Sequence, residues 1–145
     1  MKNAFAEDWA KEQGFRKAYA EATTEEAKRE VREAHKAFEA TLEEKGEAYT
    51  RYFWEYDEAQ KRGNACLDFN ECIWDDQIPQ MVEDLRTFGI KEFTLSSTYS
   101  SIVKTAWIFQ QNGCLLEGLE EINGRFDDFK TGEREKVPAF KFKIK

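Results

Sequence analysis

Ser96, Ser97, Thr98, Tyr99, Ser100 and Ser101 crowd the middle of "KEFTLSSTYSSIVKTAWIFQQNGC", where a strand pattern turns into a helical one that closes at Asn112-Gly113. A helix that opens just after a strand offers unpaired N–H groups and a positive dipole end, and hydroxyls there can hold either the backbone or a bound anion. In the first use Ser97 or Thr98 is a helix N-cap. In the second, Ser96, Ser97 and Ser100 join Glu71, from the loop after the preceding strand, in a ligand corner. Beyond the carboxyl ends of parallel strands is where α/β units bind ligands.

Other chemistry has weaker footing. GxxxxGK[ST], GxGxxG and GxSxG are absent, and no glycine lies in the serine-rich turn to admit a pyrophosphate, so no cofactor is expected. The single histidine, His35, sits among Glu33, Lys36 and Glu39 and reads as a solvated helix residue. Cys66, Cys72 and Cys114 form no CxxC and read as reduced thiols, with no metal site expected. Adjacent acids, Asp75-Asp76, Glu120-Glu121 and Asp127-Asp128, read as loop or cap residues.

The elements that must position these residues fall into two parts. Residues 1–63 read as a helical arm: a first helix with Phe5, Trp9, Ala18, Tyr19 and Ala22, a capping box at Thr23-Thr24-Glu25-Glu26, and an apolar stripe from Ala27 to Ala59 stepping by threes and fours. Uninterrupted from 24 to 62, that helix is about 58 Å long, a coiled coil or helical hairpin, and Lys45-Gly46 is its only interruption. Arg62-Gly63-Asn64 is a stop. Residues 64–145 read as a small α/β or α+β domain, β-α-β-α-β-β with a mixed sheet and parallel first strands. The last helix is expected to bury Ile102, Val103, Ala106, Trp107 and Phe109. In the last strand Phe140, Phe142 and Ile144 alternate with lysines suited to an edge. Asn123-Gly124 and Thr131-Gly132 mark turns between the final strands.

The net charge, 22 minus 29 or −7, is unevenly placed: 12 basic and 15 acidic groups over residues 1–62, 1 and 6 over 63–90, 9 and 8 over 91–145. A segment at −5 refuses a phosphate backbone and suits a basic protein instead. Asp68, Glu71, Asp75, Asp76, Glu83 and Asp84 are the expected partner face, with Trp54, off the buried stripe, as an anchor. No run approaches the roughly 18 apolar residues of a membrane span, and the start has no apolar signal core, so cytoplasmic residence is expected.

From Leu67 to Lys145 the chain resembles a family of uncharacterised short proteins carried by mobile elements and phages of anaerobic gut bacteria. The resemblance rests on "LDFNECIWDDQIP", "LRTFGIKEFTLSSTYSS", "NGCLLEG" and "TGEREKVPAFKFKI". It implies a non-catalytic, acidic accessory protein that engages a protein partner, such as a nucleic-acid-binding host defence effector of the CRISPR kind. The alternatives are a small ligand-binding domain or enzyme at the serine corner, and a structural homodimer through the 24–62 helix.

Overall fold

The computed structural model describes residues 3–145, as two compact units that divide between Trp54 and Glu55. The division falls inside a helix, ahead of the stop at Gly63.

The first unit holds α1 (Ala6–Glu21), α2 (Glu25–Glu44) and the start of α3 (Glu47–Arg62). Asn3 Oδ1 accepts from the N–H groups of Phe5 and Ala6 at 3.0 Å each, and so serves the orphan donors of α1. The expected capping box is one-sided: Thr24 is the N-cap of α2 and its hydroxyl accepts from Ala27 N at 3.1 Å, which puts Glu26 one position early. The long helix is in fact two helices. Gly46 adopts φ +103°, a conformation side chains resist, and the chain turns there. The stripe of α2 is met in cis, with Phe38 buried and its ring 5.4 Å from Phe15 of α1.

α1 departs from its expected apolar face. It buries Asp8 and Glu12, while Tyr19 is 43% exposed. Each buried acid is partnered, as a buried charge must be. Glu12 pairs with Arg16 at 3.1 Å and His35 at 2.7 Å, and His35 also reaches Glu39 at 3.1 Å. Asp8 Oδ2 accepts from Lys45 Nζ at 2.6 Å and Tyr49 Oη at 2.5 Å. Burial pushes the Asp8 carboxyl up, but the hydrogen bonds from Lys45 and Tyr49 and the charges of Lys45 and Lys11 hold it, on balance, below its ordinary value. Burial and the facing Asp8 push the Tyr49 phenol up. A lowered carboxyl stabilises the fold above about pH 4 and loses that contribution as pH falls through its folded value; a raised phenol loses its own as pH climbs past about 10. In urea unfolding, the stability gap between wild type and Asp8→Asn is therefore expected to shrink below about pH 4. A gap constant from pH 7 down to about pH 3 would contradict this account of the pair.

The second unit continues through β1 (Leu67–Phe69), a 3-10 turn (Asp75–Gln77), α4 (Ile78–Thr87), β2 (Glu92–Leu95), α5 (Ile102–Gln111), β3 (Cys114–Asp127) and β4 (Arg134–Ile144). The sheet order is β1-β2-β4-β3, with β1 parallel to β2 and β4 antiparallel to both neighbours. Strand alternation sorts the side chains: Leu67, Phe93 and Phe142 share one face, Asp68, Thr94 and Lys141 the other. The first face is a core of aromatic rings. Phe93 lies 5.7 Å from Phe69, 5.0 Å from Phe109 of α5 and 5.1 Å from Phe142, and Ile78, Val82 and Leu85 of α4 are fully buried.

Three expectations for this unit are corrected. β4 is an interior strand, and its Lys141 is met by acids on both sides, lying 3.4 Å from Glu120 and 3.8 Å from Glu92. Those two carboxylates hold the Lys141 ammonium above its ordinary value. Asn123-Gly124 lies within β3, next to a register shift, and the hairpin turns instead around Gly132, whose φ is +73°. The α5 face is narrower than expected: Thr105, Ala106 and Phe109 are buried, while Val103 and Trp107 are 72% and 58% exposed.

Candidate functional site

The parallel register of β1 and β2 brings their two following loops together. Ser97 Oγ donates to Glu71 O at 2.7 Å and to Phe69 O at 3.3 Å, and Tyr99 Oη accepts from Ile73 N at 3.4 Å and donates to Thr105 Oγ1 at 2.7 Å. The hydroxyl corner is thus neither the expected cap nor one convergent site. α5 has Ser101 as N-cap, without a side-chain bond. Ser97 is buried and ties loop to loop, Ser100 is exposed in the turn before α5, and Glu71 is exposed. Ser96, one residue from Ser97, takes the opposite side of the strand and donates to Asp68 Oδ2 at 2.7 Å.

Asp68 is the centre of that second side. It is 3% exposed, its Oδ1 accepts from Thr94 Oγ1 at 2.8 Å, and Arg62 Nη1 lies 3.6 Å from Oδ2. Asp68 therefore cannot belong to an acidic docking face; its negative charge is spent inside the fold. Arg62, the last residue of α3, is itself 5% exposed and donates from Nε to Glu58 Oε1 at 3.2 Å. The stop after it holds the β hairpin in place: Asn64 and Asn123 exchange hydrogen bonds at 3.0 and 2.9 Å, and Asn123 Nδ2 donates to Arg62 O at 2.7 Å. Lys136 also bonds Asn123 Oδ1. A cavity of about 170 Å³ opens beside this cluster.

The remaining expected partner residues are spread around α4 and its approach. Asp75 and Asp76 are exposed, Asp75 pairs with Lys104 of α5 at 3.0 Å, and Glu83 is exposed 3.6 Å from Arg86. Asp84 is half-buried and accepts from Gln80 at 2.9 Å. Trp54 is half-buried, its ring edge-on to Phe53 at 4.9 Å. The tryptophans that stand in water are others: Trp74, 66% exposed beside Asp75 and Asp76, and Trp107, one turn beyond Lys104 on the exposed side of α5 with Val103. The sequence signal for this surface was present in α5, whose apolar positions outnumber what one helix face can bury.

All three cysteines are free. Burial pushes the Cys66 thiol up to about 12 and the Cys114 thiol to about 11, far from the thiolate a nucleophile needs; Cys72 is exposed. Among the described residues no three His, Cys, Asp or Glu side chains gather as metal donors, and no helix is long and apolar enough to cross a membrane.

Residues 51–144 match the model of a family described as a domain of unknown function, DUF7698. No curated protein and no solved structure matches the chain.

Proposed function

The chain belongs to the DUF7698 family, and we propose that it is a non-catalytic interaction module whose acidic, tryptophan-bearing face engages a basic protein. The observation that carries this reading is the exposure of Trp74, Val103 and Trp107 at 66%, 72% and 58%, on elements joined by the Asp75–Lys104 pair. Large apolar side chains left in water beside charge have the composition of an interface, in which desolvated aromatics supply affinity and rim charges supply steering. Glu71, Asp75, Asp76 and Glu83 are exposed acids of this segment, and Asp68 takes no part.

A nucleic-acid-binding defence effector, with a basic cleft of its own, is the partner class that answers this charge. Steering by acids predicts association that weakens steeply with salt. The test is affinity capture by tagged wild-type and variant protein from nuclease-treated bacterial lysate, eluted by a salt gradient. A stoichiometric basic partner is expected with wild type. Trp74→Ala and Trp107→Ala are each expected to weaken it by about 2 kcal/mol or roughly thirtyfold, at unchanged melting temperature. The paired change Asp75→Lys with Asp76→Lys is expected to abolish capture. Equal recovery of the same partner by all the variants would dismiss the face.

A further inference from the structure

α2 gathers positive charge around Arg32. Lys28, Arg29, His35 and Lys36 each stand three or four residues from it, which at about 100° per residue puts all five within roughly 120° of the helix circumference. Like charges at that spacing work against a helix. His35 is engaged by Glu12 and Glu39, but Lys28, Arg29, Arg32 and Lys36 form no ion pair among the described residues. In a chain of net charge −7 this is a patch of the minority sign with no internal acid to answer it.

An apolar groove lies beside the patch. It measures about 350 Å³, between α1 and α2, with Phe15, Tyr19 and Val31 in its lining together with Arg16, Arg32 and His35. Glu12, the one acid there, is buried and already held by Arg16 and His35. Tyr19 is 43% exposed, and Lys28 Nζ lies 6.0 Å from the centre of its ring. An occupant must therefore be apolar at its centre and acidic at its edge.

The chain carries that chemistry itself, at the tip of its last hairpin. Phe126 and Phe129 are 70% and 92% exposed, and residues 126–133 set Asp127, Asp128 and Glu133 against Lys130, a charge of 1 minus 3 or −2. Asp127 faces Arg134 at 3.5 Å, whereas Asp128 and Glu133 form no ion pair among the described residues. The loop is held in shape. Gly132 N donates to Asp128 O at 2.7 Å, Asp128 N to Glu133 O at 2.6 Å, and Lys130 N to Asp128 Oδ1 at 2.8 Å. Rings presented on a fixed loop lose little freedom on binding. Size agrees, since a cavity of about 150 Å³ accepts one benzene and the groove therefore has room for two phenyl rings.

We propose that the α1–α2 groove receives the β3–β4 hairpin tip of a second copy of this chain. Phe126 and Phe129 enter beside Phe15, Tyr19 and Val31, while Asp128 and Glu133 meet Arg32 and its basic neighbours. Each copy offers one tip and one groove, so the contact is head to tail and builds a ring or an open chain. Neither surface includes Trp74, Val103 or Trp107, and this contact stands or falls apart from the partner face proposed above.

The test is sedimentation velocity of the full chain from about 2 to 200 µM. Wild type is expected to associate with a Kd on the order of 10 µM, weakened at least about tenfold between roughly 50 and 500 mM salt. Phe129→Ser and Arg32→Glu, both at exposed side chains, should each be monomeric over that range with the far-ultraviolet dichroism of wild type. Mixed in equal amounts they should form a one-to-one pair, because the first retains the groove and the second the tip. Wild type still monomeric at about 200 µM would overturn the proposal and leave the groove to a different acidic partner. Association that survives either change, or variants that stay apart when mixed, would overturn it in favour of a contact elsewhere. Trp107→Ala should associate as wild type does; loss of association there would assign the self-contact to the tryptophan face and overturn the proposal too.

Discussion

Asp68→Ala should lower the stability of this protein by about 3–5 kcal/mol, because it strands a buried guanidinium. The arithmetic is asymmetric. Asp68 takes hydrogen bonds from Thr94 and Ser96 and balances Arg62, so its removal takes the buried acceptor from three groups, while the carboxylate it deletes was buried at a cost already met. Glu58 remains on Nε, but it is half-exposed and screened, and offsets only part of the loss. Thermal unfolding followed at 222 nm and by near-ultraviolet dichroism should show a fall of roughly 10–20 °C. Asp68→Asn keeps an acceptor for the hydroxyls and should fall between. Removing the pair together, Arg62→Met with Asp68→Leu, should recover much of the loss, as replacement of buried ion pairs by apolar groups does elsewhere. A melting temperature for Asp68→Ala within about 2 °C of wild type would mean that water reaches Arg62 and that the pair is not buried in solution.

Phe93→Ala should cost a similar amount, about 3–5 kcal/mol, for an unrelated reason. Its ring is fully buried and touches three others, from β1, β4 and α5, so truncation opens a hole that no single neighbour can fill. Because β2 and β4 are hydrogen-bonded on both sides, their backbones cannot move in to close it. Phe93→Leu retains most of the volume and should lose only about 1–1.5 kcal/mol. Leu119→Ala, at a position 73% exposed, is the matched control and should change the denaturant midpoint hardly at all. A Phe93→Ala midpoint close to that control would place the true core elsewhere.

Local rules located the elements well because their signals are local. Thr24 before Glu25, Gly46 after Lys45, Gly63 after Arg62 and the Phe-Lys alternation of β4 each act within a turn or two of chain. What the sequence hid depends on register between distant strands. Asp68 and Asp75 look alike as letters; only the pairing of Asp68 with Thr94, and the arrival of Arg62, makes one a buried partner and the other a surface charge. The lysines of β4 looked like edge protection because an isolated strand carries no sign of its neighbours' Glu92 and Glu120. In α5, Val103 and Trp107 were read as core because they are apolar, yet a ten-residue helix that buries Thr105, Ala106 and Phe109 must leave its opposite side to solvent or to a partner. The hydroxyl corner failed similarly: Ser96 and Ser97 are adjacent in the chain and so point apart, one into the Asp68 cluster and one into the loop.

The strand order also sets a timetable during synthesis. β4 is made after all the other strands, yet it lies between β2 and β3 and is the strand that hydrogen-bonds to both. From Leu95 to Ile144 the ribosome must add 49 residues, about 2–10 s at ordinary elongation rates, during which β2 has an open edge and Phe93 lacks the ring of Phe142. The helices α1 and α2, synthesised before residue 54, can form well before then. The nascent chain therefore emerges with a finished helical segment leading and a half-built sheet behind it, and its exposure to misassociation is greatest in the interval before β4 emerges.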